Sequence, residues 1–257
     1  MGHCERCDQE SPLISFPLNL CASCIRSAFD DVLPRIRAVH GRSRTSFGLP
    51  AAPPRFEHGL TCAFCTNQCR LGPEERGFCG TRQNASGRLR GGGPREGNLS
   101  WYYDPLPTNC VADWVCPGGT GCGYPEYAHS QGPEHGYKNL AVFFHSCSFD
   151  CLFCQNWHYR EHSTEPGRRH LDFLTDGVDE RTSCICYFGG DPTPHLPYAI
   201  AASRRALEKN PGRILRICWE TNGAMNPKLA DRMASLSLKT GGCVKFDLKA
   251  HSRGVYL

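Results

Sequence analysis

The feature that most limits what this chain can become is its eighteen cysteines in 257 residues, since so many thiols must pair as disulfides or hold metal. The opening MGHCERC has no apolar signal-peptide run, so export to an oxidising compartment is not indicated and a cytoplasmic location is expected. Metal is therefore the expected use. Spacing agrees, because most of the cysteines stand in C-x2-C or C-x3-C pairs, which set two thiolates on one tight turn facing one site.

Cys4, Cys7, Cys21 and Cys24 form a C-x2-C-x13-C-x2-C, close to zinc-ribbon spacing; zinc is the expected ion, with a rubredoxin-like iron site as the variant. Cys62, Cys65, Cys69 and Cys79 form a C-x2-C-x3-C-x9-C, a second closed four-thiolate site for zinc or an auxiliary iron–sulfur cluster. Cys110, Cys116 and Cys122 have no assignment. Cys184, Cys186, Cys218 and Cys243 lie in strand patterns and read as small buried thiols.

The remaining composition excludes other classes. A net charge of +4 on 29 basic and 25 acidic residues, without a basic run, does not imply a nucleic-acid partner. No stretch approaches the roughly 18 apolar residues that span a bilayer, so no membrane role is expected. Hydrophobic content of 40% suffices for a buried core. Three parts can be read: a zinc-ribbon-like module with its linker over 1–57, a cysteine-rich and Gly/Pro-rich lead-in over 58–137, and an α/β part over 138–257. Within the lead-in, residues 101–136 show too little periodicity for helices or strands. From Lys138, short apolar runs alternate with helix-length segments, which predicts a parallel sheet or barrel. The expected strands are Leu140–His145, Cys184–Phe188, Ile214–Glu220 and Cys243–Leu248; the expected helices are Tyr198–Lys209 and Pro227–Leu238. The first crossover, 156–182, shows no clear pattern.

Directly after the first strand, HSCSFDCLFCQNW carries Cys147, Cys151 and Cys154 as C-x3-C-x2-C. Three thiolates on a [4Fe-4S] cubane leave one iron open for a ligand, so chemistry at the cluster is expected; the bland alternative is three buried or zinc-binding cysteines. Phe149 and Phe153 would form a water-excluding shell. At the end of the second strand, YFGGDPTP supplies Gly189, Gly190, Asp191 and Pro192, where missing side chains let backbone carbonyls approach a ligand such as an ammonium. The third strand ends in Glu220, Thr221 and Asn222, the fourth in Lys245, Asp247 and Lys249, all at the edge where parallel sheets bind ligands. Alternation along a strand puts Lys245, Asp247 and Lys249 on one face, expected to be the site face, and Phe246 and Leu248 on the other.

These segments together resemble the radical SAM superfamily, whose signature is the C-x3-C-x2-C after the first strand of a (βα) barrel. The resemblance implies a partial (βα)6-type barrel with about four strands present. It implies a [4Fe-4S] cluster on Cys147, Cys151 and Cys154, S-adenosylmethionine as cosubstrate, and a flavodoxin- or ferredoxin-type electron donor. GGDP is similar to the family's GGEP motif, with Asp191 where Glu is commoner, and would receive the methionine amine. Thr221 and Asn222 in TNG would contact S-adenosylmethionine, and Asp247 and Lys249 in DLK would line the substrate side, as in glycyl-radical activating enzymes of the pyruvate formate-lyase type. For Glu220 the alternatives are a ribose hydroxyl, which is preferred, and a salt bridge in the barrel mouth. The substrate is unknown, a protein being one candidate. The rival reading is a non-catalytic zinc-ribbon and iron–sulfur protein that binds a partner or passes electrons. A barrel of this kind usually has six βα units, and the chain stops at HSRGVYL soon after the fourth strand. An incomplete catalytic unit, truncated or a fragment, is therefore expected, with weak S-adenosylmethionine binding and slow turnover.

Overall fold

Thiols and a few aliphatic side chains build the first part of the chain. The computed structural model describes residues 1–108, 110–165 and 168–249 and divides the chain into two units, with the boundary between Ala52 and Pro53. In the first unit, a two-residue ladder, Gly2–His3 against Glu10–Ser11, bends the chain so that Cys4 and Cys7 lie on its turn. Cys21 and Cys24 come instead from helix α1 (Ala22–Ser27), where the Cys21 sulfur caps the first turn by accepting from Cys24 N at 3.4 Å. Helix α2 (Phe29–Thr45) then packs Val32 and Val39 onto Ile14, Leu18 and Leu20. The second cysteine pair thus sits on a helix start, where a ribbon would have a second hairpin.

The second unit is organised by one five-stranded sheet, β1 (Leu99–Pro105), β2 (Lys138–Phe144), β3 (Thr182–Gly189), β4 (Arg216–Thr221) and β5 (Val244–Phe246), laid side by side in that order. β2 to β5 are parallel, as the four apolar runs predict. The runs in β2, β3 and β4 are buried on both faces, which is why they read as continuous rather than alternating. Two helices cover the sheet. α4 (Leu196–Lys209) buries Ala199, Ala202, Ser203 and Ala206, a three-and-four spacing that makes one helical face. α5 (Pro227–Thr240) starts at Asn226, whose side chain accepts from Lys228 N at 2.9 Å, has Pro227 at its first position, and ends at Gly241 with φ +69°. Between the layers Trp219, fully buried, stacks on Tyr187 with ring centroids 4.6 Å apart. Burying each such side chain contributes on the order of 1.5–3 kcal/mol.

Three expectations need correction. β1 runs from Leu99 into the stretch from residue 101 whose periodicity is too weak to assign a helix or strand. It is an antiparallel edge strand of which Ser100, Tyr102 and Tyr103 are exposed, so its apolar pattern is broken. Trp101 Nε1 donates to Phe173 O at 2.9 Å and Tyr103 Oη to Gly177 O at 2.7 Å, which anchors β1 to the first crossover. That crossover holds a turn of helix, Tyr159–His162, and helix α3 (Leu171–Thr175). β5 stops at Phe246, two residues short of the predicted end, so strict alternation does not extend to Asp247 and Lys249. The expectation drawn from HSRGVYL falls on residues 251–257, outside those described.

One ion pair is sealed beneath the sheet. The Arg216 guanidinium donates to both Glu134 oxygens at 2.7 and 2.6 Å, both side chains having 0% exposure, and it donates to Ser183 Oγ at 2.9 Å. Among the described residues no helix is long and apolar enough to cross a membrane.

Candidate functional site

The C-terminal ends of β2 to β5 open onto a cleft of about 600 Å³. Its walls carry Cys147, Cys151, Cys154, Gly189, Gly190, Asp191, Glu220, Thr221, Asn222, Lys245, Asp247 and Lys249, so residues expected from four separate strand ends meet at one place. All three cysteines are partly buried. Burial pushes the Cys147 thiol well above its ordinary value, with the Asp191 carboxylate adding to it, and burial raises Cys151 as well. The neutral thiol is thus favoured until a cation is bound, as for thiols awaiting metal.

The loop bearing these cysteines is held from several sides. The backbone N–H of Phe149 donates to Cys147 Sγ at 3.3 Å, and Asn222 Nδ2 points at the same sulfur from 3.8 Å. Asn222 Nδ2 also donates to Ser148 Oγ at 3.0 Å. Tyr159 Oη donates to Phe149 O at 3.3 Å, and its ring is 2% exposed, closing the loop from behind. Phe153 is 70% exposed, so it stands at the rim and does not form part of a water-excluding shell.

Asp191 is an internal fastener. Its carboxylate, 3% exposed, accepts from Thr193 N at 2.8 Å, from Thr221 Oγ1 at 3.1 Å and from Asn222 N at 2.7 Å. It therefore locks the loop after β3 to the end of β4. The two glycines before it answer to the same crowding. A Cβ on Gly189, which has φ +98°, would lie 2.6 Å from Phe144 N, and one on Gly190 would lie 2.3 Å from Ser146 O. The close approach they allow is to the protein's own β2 end.

Glu220 makes the mouth salt bridge: Lys245 Nζ donates to its Oε1 at 2.6 Å. Lys249 pairs with Asp247. Sequence reasoning missed Ser148, Tyr159 and the contribution of the lead-in. Asn67 Nδ2 donates to Ser148 O at 2.7 Å, Thr66 N to Ala224 O at 2.8 Å, Asn226 N to Phe64 O at 2.8 Å and Asn226 Nδ2 to Ala63 O at 3.0 Å. The segment between Cys62 and Cys69 is therefore clamped onto the loop that presents Asn222. No spacing rule links Asn67 to Ser148, which are 81 residues apart.

The metal-ligand geometry differs between cysteine sets. Cys4, Cys7, Cys21 and Cys24 are the one group, among the described residues, whose donor atoms all lie within 4.8 Å of one another. A single tetrahedral ion with thiolates at about 2.3 Å needs its sulfurs roughly 3.8 Å apart, so this group is near closure around one ion. Backbone N–H groups, Cys21's first, pull the Cys4 thiol down to about 6, while burial pushes Cys24 up to about 12.

Comparison with known proteins narrows the class. Residues 141–245 match the radical SAM superfamily, the span that holds the three cysteines, both glycines, Asp191 and the β4 end. An uncharacterized protein of Methanocaldococcus jannaschii is similar, 23% identical over 171 residues that cover 63% of this chain. The match covers 38% of that protein's length. No solved structure matches.

Proposed function

Taking the radical SAM domain of residues 141–245 as the premise, we propose that this chain is a radical SAM enzyme that carries its cluster on Cys147, Cys151 and Cys154. The observation that carries the proposal is the convergence of exactly three thiols, the loop after β3 and the ends of β4 and β5 on one open cleft. Three donors with room beside them suit a cluster with one iron left for a ligand. When bound, the cluster and S-adenosylmethionine supply one-electron cleavage of the sulfonium to methionine and a 5′-deoxyadenosyl radical.

The residues of the chain bind, orient and exclude water. Asn222 aims an N–H at Cys147, which steadies the thiolate form and tunes its donor strength. Asp191 makes the two ligand-facing loops one rigid piece. Gly189 and Gly190, which line the cleft, would receive the methionine ammonium on their backbone carbonyls. Glu220, whose polar contacts among the described residues run through Oε1, would offer its other oxygen to a ribose hydroxyl. Asp247 and Lys249 line the substrate side. The finer reading is an activating-enzyme-like oxidoreductase of the pyruvate formate-lyase type, located in the cytoplasm. It takes electrons from a flavodoxin or ferredoxin and acts on a substrate that includes proteins among its candidates. The N-terminal four cysteines take zinc, and Cys62, Cys65, Cys69 and Cys79 take zinc or an auxiliary cluster.

The test is anaerobic reconstitution followed by dithionite and S-adenosylmethionine. Release of 5′-deoxyadenosine by the chain, and its loss with one cluster's worth of iron in the Cys147→Ala, Cys151→Ala, Cys154→Ala triple variant, are expected. Unchanged iron in that variant would overturn the cluster assignment. Glu220→Gln should weaken S-adenosylmethionine binding by about 1.5–3 kcal/mol, roughly tenfold to hundredfold, in calorimetry.

A further inference from the structure

The cysteines expected to be scattered core thiols meet on one face of the sheet. Cys184 and Cys186, two apart on β3, share a face. Cys186 stands directly opposite Cys218 in the β3–β4 ladder. The β4–β5 register pairs Trp219 with Val244, which places Cys243 beside Cys218, and Cys243 N donates to Cys218 Sγ at 3.4 Å. Three adjacent strands therefore present thiols at one level. Cys243 packs against the cluster of Cys184, Cys186 and Cys218, and from the lead-in Cys116 faces the same side of the sheet. A cavity of about 180 Å³ is lined by Cys110, Cys116, Cys184, Cys186 and Cys218.

The charges around the cavity suit thiolates. Lys245 Nζ donates to Cys110 Sγ at 2.9 Å and to Cys186 Sγ at 3.6 Å. Arg216, fully buried, exerts its charge on Cys116 and Cys184 from the other side. Neutral thiols gain little from one another, since S–H is a weak donor and sulfur a weak acceptor. Thiolates on a soft metal gain a great deal, and Lys245, which Glu220 also shares, stands against two of the sulfurs.

We propose that Cys116, Cys218 and Cys243, with Cys186 as the fourth donor, hold a second thiolate-ligated soft-metal centre, iron–sulfur or zinc, inside the sheet. It is distinct from the Cys147 cleft but close to it, because Glu220 and Lys245 line both cavities. These sulfurs are set wider than the N-terminal four, which alone among the described residues lie within 4.8 Å of one another. The centre does not depend on S-adenosylmethionine chemistry at the other site.

The experiment measures iron, sulfide and zinc per chain after anaerobic reconstitution with iron and sulfide. The Cys147→Ala, Cys151→Ala, Cys154→Ala chain is compared with the same chain carrying Cys218→Ser and Cys243→Ser in addition. A loss of metal on adding the two serines is expected: loss of iron with sulfide assigns a cluster, and loss of zinc assigns a single ion. Equal metal in the two chains overturns the proposal. Because β4 could be disturbed by its serine, Cys116→Ser, outside the strands, is measured in the unmutated background. There the same metal should be lost while far-ultraviolet circular dichroism stays unchanged. Full metal retention in Cys116→Ser likewise overturns the site.

Discussion

His195 buries an imidazole at 3% exposure, stacked on Phe144 with centroids 5.2 Å apart, and neither ring nitrogen has a hydrogen-bond partner among the described residues. Burial, with Arg82 and His145 adding to it, holds its pKa down to about 3 against the usual 6.5. The folded chain refuses a proton that the unfolded chain accepts below pH 6.5. The stability His195 permits is therefore whole above that pH and is lost as pH falls toward 3, by about 1.4 kcal/mol per unit. Between pH 7 and 5 the wild type should lose about 2 kcal/mol more than His195→Leu, read as the difference in urea midpoints multiplied by the slope. At this scale the cysteines were legible because spacing alone puts thiolates on one turn. Asp191 was only half legible: its place in a ligand-facing loop follows from the motif. Its three donors come partly from Thr221 and Asn222, some thirty residues on, and no local pattern announces them.

Strands and helices followed the apolar runs closely where both faces are buried. α4 and α5 extend the predicted helices by two residues at one end each. β1 escaped because an edge strand that leaves one face to solvent carries no continuous run, and Pro105 closes it. The element with most leverage on the site is α5, through its cap. Asn226 satisfies Lys228 N and also donates to Ala63 O, so it starts the helix and grips the cysteine-rich segment together. Asn226→Ala should cost about 0.5–2 kcal/mol in urea unfolding from the cap alone. It should also raise hydrogen exchange at Thr66 N, whose partner is Ala224 O. Unaltered exchange there would show that the two segments are held by other contacts.

For the whole molecule, the balance of the second unit leans on the sealed Glu134–Arg216 pair. Replacing Glu134 with alanine strands a guanidinium at 0% exposure, and a loss of about 3–5 kcal/mol in urea unfolding is expected. A loss under about 1 kcal/mol would mean that water reaches Arg216 readily. Neither partner stood out in the sequence, since Glu134 lies in a Gly/Pro-rich stretch and Arg216 inside an apolar run. The parallel order of β2 to β5 was readable, whereas the gathering of thiols across β3, β4 and β5 was not, because register is a property of pairing rather than of any one strand. The clamp from residues 63–67 onto Ala224 and Asn226 has one more consequence, for how the protein matures. Until the 63–67 segment has folded, Ala224 O and Asn226 N lack the partners it supplies, and Ser148 O lacks Asn67. The β4 loop that presents Asn222 and the cysteine-rich segment are thus finished together, and neither reaches its final shape ahead of the other.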